Sequence, residues 1–216
     1  MSYPKIPIKT YAADLVWALA VRAQNQNGSY IKESQYDPDG KIIAEANKVL
    51  VKRWLQEDRV PTDAEIHQGQ ETRSYFNGYL LRKLAGKIGD FESLALRIAQ
   101  IEEFTNRNMY EFAVISSLPS VAVRDRARAE LKREIFQSEQ LEGQVGEQLI
   151  TDITVVSCTY NANYNKFFVR ARAGESFVTF FYKEMLDTGV TVRIKSKVKA
   201  QRDDKTTSLH YVKIIG

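Results

Sequence analysis

The last third of the sequence contains five short segments in which β-branched and aromatic residues alternate with polar ones. These segments lie at 149–160, 166–173, 176–183, 189–201 and 207–215, and turn-forming residues separate them. Successive side chains of a β-strand point to opposite faces, so the alternation places one face of each segment in a core and the other in solvent. The pattern predicts a compact five-stranded domain over residues 147–216.

The fourth of these segments carries a basic side chain at every second position. The four basic residues are Arg193, Lys195, Lys197 and Lys199. On a strand they share one face, and because like charges in a row repel one another, the row indicates an anionic partner such as a phosphate backbone. The alternative is an exposed, lysine-rich strand that discourages aggregation at the edge of a sheet.

The segment 166–173 repeats this arrangement with an aromatic ring among the cations. One predicted face carries Lys166, Phe168, Arg170 and Arg172. Single-stranded nucleic acid is bound by cations, which neutralise its phosphates, and by aromatic rings, on which its unpaired bases stack. Both kinds of side chain are therefore predicted to lie on this face.

Two predicted loops supply the remaining candidate binding residues. Tyr160 and Tyr164 are predicted in the loop that joins the first two strands, and Arg202 and Lys205 in the loop that joins the last two. Asp203 and Asp204 in the second loop are interpreted as residues that shape the turn, and they would repel phosphate if they pointed inward. Burial in the core is predicted for three other rings, those of Phe167, Phe177 and Phe181.

Residues 1–146 favour helices. Apolar residues recur at helical spacing near residues 11–24, 41–58, 62–84, 90–104 and 120–137. Thr62 followed by Glu65 is typical of a capping box, in which each residue satisfies an otherwise unpaired backbone amide of the other. The predicted fold class is α+β: an N-terminal helical bundle over residues 1–146, followed by the five-stranded domain over residues 147–216.

Two groups of basic residues lie within the predicted helices. Arg124, Arg128 and Lys132 are spaced four residues apart, but acidic residues stand among them, which is typical of a solvated face with ion pairs along the helix. The segment 70–87 is the better second candidate for contact with nucleic acid or a partner protein. Its basic and aromatic residues are Arg73, Arg82, Lys83, Lys87, Tyr75 and Tyr79.

The positive charge of the chain is concentrated in its last third. Residues 147–216 contain 11 of the 31 Lys and Arg residues and 7 of the 27 Asp and Glu residues, so the whole net charge of +4 (11 − 7) lies there. A basic excess confined to one domain is typical of proteins that bind a polyanion.

The sequence contains little that indicates an enzyme. It has no phosphate-binding loop signature, no dinucleotide-binding glycine motif and no pair of closely spaced cysteines, and it has only two histidines, His67 and His210. We therefore expect no catalytic residues, no metal site and no cofactor. The single cysteine, Cys158, fits a reducing compartment, and the apolar run at 12–21 is too short to span a bilayer. A cytoplasmic protein without a membrane partner is expected, in the host cytoplasm if the protein is viral.

The stretch "FVTFFYKEMLDTGVTVRIKSKVKAQRDDKTTSLHYVKI" at 177–214 resembles the closing strands of OB-fold domains in bacteriophage and bacterial replication proteins. The shared pattern is an aromatic strand, a glycine-led turn, a basic strand, a polar loop and a final strand. The OB-fold is a five-stranded barrel that binds oligonucleotides, and its layout includes a brief helical turn between the third and fourth strands. The resemblance covers about residues 147–216.

This resemblance implies a protein that binds single-stranded DNA with little sequence preference, as an accessory factor in phage replication or recombination. It also implies replication or recombination proteins as partners, which the helical part would contact. Two alternatives stay open. RNA is not distinguished from DNA by sequence, and a barrel of this kind also serves as a protein-interaction adaptor.

Overall fold

The computed structural model of the protein describes residues 7–215. The chain divides into two compact units, Met1–Arg126 and Ala127–Gly216. Helices dominate the first unit and a closed five-stranded β-barrel dominates the second, so the predicted α+β class is confirmed.

The first unit combines helices with two small antiparallel ladders that the sequence patterns did not indicate. Its elements are β1 (Thr10–Ala12), α1 (Ala13–Asn27), β2 (Gln35–Tyr36), β3 (Ile42–Ala44), α2 (Asn47–Gln56), α3 (Asp63–Asn77), α4 (Tyr79–Leu84), α5 (Asp90–Ala99), β4 (Glu103–Thr105), α6 (Met109–Ile115) and the start of α7 (Leu118–Gln137). Strand β1 pairs with β4, and β2 pairs with β3. The predicted helix at 41–58 begins only at Asn47, because Ile42–Ala44 forms β3.

Helix α1 is the centre of the first unit. Its side chains from Val16 to Ala20 are all fully buried, so the helix is surrounded by protein rather than exposing a polar face there. Helix α3 crosses it very closely at Gly69, where an added Cβ would lie 2.8 Å from the backbone nitrogen of Ala18. Helix α3 begins with the predicted capping box, in which the Glu65 amide bonds the Thr62 hydroxyl and the Thr62 amide bonds the Glu65 carboxylate.

The second candidate surface, at 70–87, is largely a structural network instead. Arg73 is 16% exposed and bonds the carboxylate of Glu102 at 2.7 Å and the carbonyl of Ala99 at 2.8 Å. Arg82 bonds Glu92 at 2.6 Å and lies over the ring of Tyr79, which is itself buried. The prediction that Arg73 and Tyr79 contact a partner is therefore wrong, because both side chains hold helices of the first unit together.

The second unit contains all five predicted strands, with every boundary within two residues of the prediction. They are β5 (Gln148–Asn161), β6 (Lys166–Ala173), β7 (Ser176–Tyr182), β8 (Thr191–Gln201) and β9 (Thr207–Ile214). The strand order β5-β6-β7-β9-β8 closes through pairing of β5 with β8. Strands β7 and β9 are parallel and the other neighbours are antiparallel, an arrangement consistent with an OB-like barrel.

The predicted helical turn between the third and fourth barrel strands is wrong. Residues 183–190 form bends and a turn, with no helix. Two backbone hydrogen bonds join the segment to β5: the Gly189 amide donates to the Val155 carbonyl at 2.7 Å, and the Val155 amide donates to the Val190 carbonyl at 2.9 Å. The segment therefore runs as an extended cover along β5.

The C-terminal half of α7 packs against the barrel within the second unit. Glu134 forms an ion pair with Arg172 of β6 at 2.8 Å, and Ile135 is buried. Phe177 is also buried, as predicted, with the guanidinium of Arg172 4.9 Å from its ring centroid. Within residues 7–215, no helix combines the length and the apolar character that crossing a bilayer requires.

Candidate nucleic-acid interface

The cationic row of β8, which comprises Arg193, Lys195, Lys197 and Lys199, lies on the outer surface of the barrel. All four side chains are exposed, whereas Ile194, Ser196 and Val198 between them are almost fully buried. The side chains of β8 therefore alternate between exposed and buried, as predicted. Strand β8 is paired along both edges, with β5 on one side and β9 on the other, so it has no free edge for the lysines to protect.

The cationic row extends onto β9 through a pair of like charges. Lys195 of β8 and Lys213 of β9 are register partners, and both are exposed. Among residues 7–215, neither lysine has a carboxylate oxygen within 4.0 Å. Like charges directly opposite each other on neighbouring strands destabilise a sheet, so this pair favours a bound anion.

The two predicted rows of cations do not lie side by side across β5. Strand β8 pairs with residues 148–154 of β5, whereas β6 pairs with residues 154–161, so the two rows share only Thr154 as a neighbour. On β6, Lys166 is exposed at the end of the strand and Arg170 is half-buried. Arg172 is neutralised by Glu134 of α7, which removes it from the set of unpaired cations.

Three rings form an aromatic cluster beside Lys166: those of Tyr164 and Phe181, which are exposed, and that of Phe168, which is half-buried. The ring centroids of Tyr164 and Phe181 are 4.9 Å apart, and those of Phe168 and Phe181 are 5.3 Å apart. Phe181 is 40% exposed, so its predicted burial is wrong. Adjacent residues of a strand face opposite sides, and because Phe180 occupies the core, Phe181 must point outward.

A groove separates the C-terminal halves of β7 and β9. The two strands pair only at Val178 with Thr207 and at Thr179 with Ser208, and they diverge beyond these positions. The groove has a volume of about 500 Å³ and is lined by Lys166, Phe181, Tyr182, Lys183, Tyr211, Val212, Lys213 and Ile214. Phe181 belongs both to this β7–β9 groove and to the aromatic cluster, and Lys213 connects the groove to the cationic row.

Tyr211 was not among the predicted binding residues, yet it is the most exposed ring of the groove, at 76%. Its φ of 54° lies in the left-handed region, and the register of β8 and β9 shifts beside it. A bulge of this kind turns a side chain out of the regular alternation, and such strained positions concentrate at functional sites. The indication in the sequence was that Tyr211 and Lys213 lie two positions apart in "HYVKI", which on a strand places their side chains on the same face.

Several predicted site residues lie away from this surface. Tyr160 belongs to β5 rather than to a loop, and its ring packs against Phe167, with centroids 5.4 Å apart. The loop that contains Arg202 and Lys205 leads into Thr207 of β9, and Lys205 lies over the ring of Phe136 of α7. This loop is therefore next to α7.

Asp204 shapes that loop, as the sequence indicated. Its carboxylate accepts hydrogen bonds from the hydroxyl of Thr206 at 2.6 Å and from the Thr206 amide at 3.1 Å. The hydroxyl bond is the main reason why the pKa of Asp204 is lowered, and the nearby guanidiniums of Arg202 and Arg170 lower it further, against the effect of partial burial.

Comparison with known proteins adds no assignment: no protein family, curated protein or solved structure was found to match this chain. Across residues 7–215, no three His, Cys, Asp or Glu side chains cluster in a way that would hold a metal ion. The chemistry of the exposed surface therefore carries the functional argument.

Proposed function

We propose that this protein binds single-stranded DNA with little sequence preference, through the surface of the second unit that comprises the aromatic cluster, the β7–β9 groove and the cationic row. The observation that carries the proposal is that the aromatic cluster, the β7–β9 groove and the cationic row adjoin one another without a break. Phe181 is shared by the cluster and the groove, and Lys213 lines the groove opposite Lys195 of the row. Cations and stacking rings are the two components that unpaired strands require.

The rings account for the preference for single strands. In a duplex each base is stacked between its neighbours, so its face is not available to Phe181 or Tyr211. In a single strand the exposed faces stack on such rings, at about 1–3 kcal/mol per base. The lysines neutralise phosphates without reading sequence, so affinity falls steeply as salt rises. The resemblance of residues 177–214 to phage and bacterial replication proteins supports a role as an accessory factor in phage replication or recombination.

The test is fluorescence anisotropy with a labelled 20-nucleotide single strand of DNA, the corresponding duplex and the corresponding RNA, each over a series of salt concentrations. We expect the single DNA strand to bind more tightly than the duplex. Tyr211→Ala and Phe181→Ala each remove one stacking ring, so each weakens binding by roughly 5- to 150-fold, the equivalent of about 1–3 kcal/mol. Equal or tighter binding of RNA would reassign the ligand class.

Tyr110→Ala in the first unit is the matched control, because Tyr110 is 57% exposed and lies on α6, outside the proposed surface. It should bind as the unaltered protein does. If the single strand, the duplex and the variants all bind equally, base stacking is not part of the interaction and the proposal fails.

A protein-interaction function is a second candidate, supported by exposed apolar side chains of the first unit. Leu81 and Leu84 of α4 are 74% and 77% exposed, and Phe91 of the neighbouring α5 is 46% exposed. Clustered exposed apolar residues are typical of protein contact sites. If this surface recruits replication or recombination partners, Leu81→Ser with Leu84→Ser abolishes complex formation in sedimentation velocity and leaves oligonucleotide affinity unchanged. Loss of both properties would contradict a separate partner surface.

A further inference from the structure

A second groove of the second unit lies between the C-terminal half of α7 and the barrel. Its volume is about 500 Å³, and it is lined by Arg128, Leu131, Lys132, Ile135, Phe136, Arg170 and Asp204. This helix groove therefore brings two cations of α7 and one cation of β6 around a partly apolar floor. The sequence pattern of α7 indicated only a solvated face with ion pairs along the helix.

The three cations of the helix groove have no carboxylate oxygen within 4.0 Å among residues 7–215. Glu134, which follows Arg128 and Lys132 on α7, is paired with Arg172. Asp204, the acid that lines the groove, is already bonded twice by Thr206. These hydrogen bonds do not remove the charge of Asp204, so three cations and one carboxylate leave the lining of the groove with a net charge of +2 (3 − 1).

One donor of the groove is buried and unsatisfied. The Nε of Arg170 is inaccessible to solvent and has no hydrogen-bond acceptor in the described part of the chain. A buried donor without a partner costs roughly 1–3 kcal/mol, and more when the group is charged. An anion in the groove removes part of this cost, because phosphate oxygens accept hydrogen bonds from guanidinium groups.

The position of Arg170 connects the helix groove to the surface described above. Arg170 and Phe168 are two residues apart on the same face of β6, a distance of roughly 7 Å along the strand. A nucleotide stacked on Phe168 therefore has a phosphate within reach of the groove. We propose that Arg128, Lys132 and Arg170 bind phosphates of the same single strand whose bases stack on the aromatic cluster, so that α7 forms one wall of the nucleic-acid site. This inference rests on the proposed function.

The test uses a double variant that carries both Arg128→Gln and Lys132→Gln. Its binding is compared with that of the unaltered full-length protein. Both side chains are exposed on α7, so the substitutions leave the fold intact. Two lost phosphate contacts lower the slope of log affinity against log salt by about 1.4, which is 2 × 0.7 for a single strand. The affinity of the unaltered protein divided by that of the double variant is therefore about 25-fold larger at 0.1 M salt than at 1 M salt.

The matched control is Arg133→Gln, which removes an exposed cation from the same helix, outside the groove. A second readout is the NMR resonance of the Arg170 Nε–H, which should shift when a 20-nucleotide thymidylate is added to the unaltered protein. If the double variant has the salt slope of the control, and the resonance does not move, the inference is overturned while the proposed function stands. If the unaltered protein binds no oligonucleotide, both are overturned.

Discussion

Replacing Lys213 by glutamate is expected to stabilise the free protein and to weaken the proposed binding of single-stranded DNA. Lys213 and Lys195 are exposed register partners on antiparallel strands. Such a pair destabilises the sheet when the charges are alike and stabilises it when they are opposite, by about 0.2–1 kcal/mol in either direction. The substitution changes repulsion to attraction, so the free energy of unfolding rises by about 1 kcal/mol.

Binding changes in the opposite direction. The substitution removes Lys213 from the β7–β9 groove and engages Lys195 in an ion pair, so two of the proposed phosphate contacts are lost. The slope of log affinity against log salt then falls by about 1.4, which is 2 × 0.7. Urea denaturation measures the change in stability, and anisotropy of a labelled single strand over a salt series measures the slope.

Lys52→Glu on α2 is the control for this prediction. It changes the net charge by the same amount in the first unit, where the side chain is exposed, and should alter neither the slope nor the stability of the barrel. The reasoning is refuted if Lys213→Glu lowers the free energy of unfolding, since the pair would then not be repulsive. It is also refuted if the salt slope of Lys213→Glu equals that of the control.

Three further predictions concern the fold. Thr62→Ala removes the hydroxyl that caps α3 and should lower the free energy of unfolding by about 1 kcal/mol in urea denaturation. Gly69→Ala places a Cβ 2.8 Å from the Ala18 nitrogen and should cost about 1–3 kcal/mol in the same assay; an unchanged midpoint would contradict the close crossing of α1 and α3. The pKa of Asp204 lies below its ordinary 3.8, so this carboxylate contributes stability above that pH, which is lost as the pH falls through the lowered pKa. In a Thr206→Val variant, NMR titration should find this pKa closer to 3.8.

The barrel strands were predictable because the sequence pattern that specifies each strand lies within that strand and the turns beside it. Alternation of period two, bounded by turn residues, locates each strand without reference to its neighbours, and the closed barrel has one buried face for every strand. The same parity correctly placed the four cations of β8 on one exposed face. In the first unit, by contrast, Ile42–Ala44 has too short a pattern to separate a strand from the start of a helix.

The parts of the candidate site that escaped prediction depend on pairing between distant segments. Nothing near Tyr211 in the sequence specifies a positive φ, which follows from the shifted register of β8 and β9. The β7–β9 groove exists because the parallel ladder of these strands ends after two pairs. Likewise, the acidic residues among the cations of 120–137 were interpreted as partners within the helix, whereas Glu134 pairs with Arg172, 38 positions away.

The divergence of β7 and β9 determines which exposed lysines could protect an edge of the sheet from aggregation. A strand that protects an edge with lysine must have an unpaired edge, and β8 has none, because β5 and β9 pair with it on both sides. Unpaired backbone groups occur instead where β7 and β9 diverge, and there the groove is lined by Lys183 and Lys213. Protection of an edge therefore applies to these two lysines in the unliganded protein and not to the cationic row of β8, which is the part of the surface that the proposed phosphate contacts use.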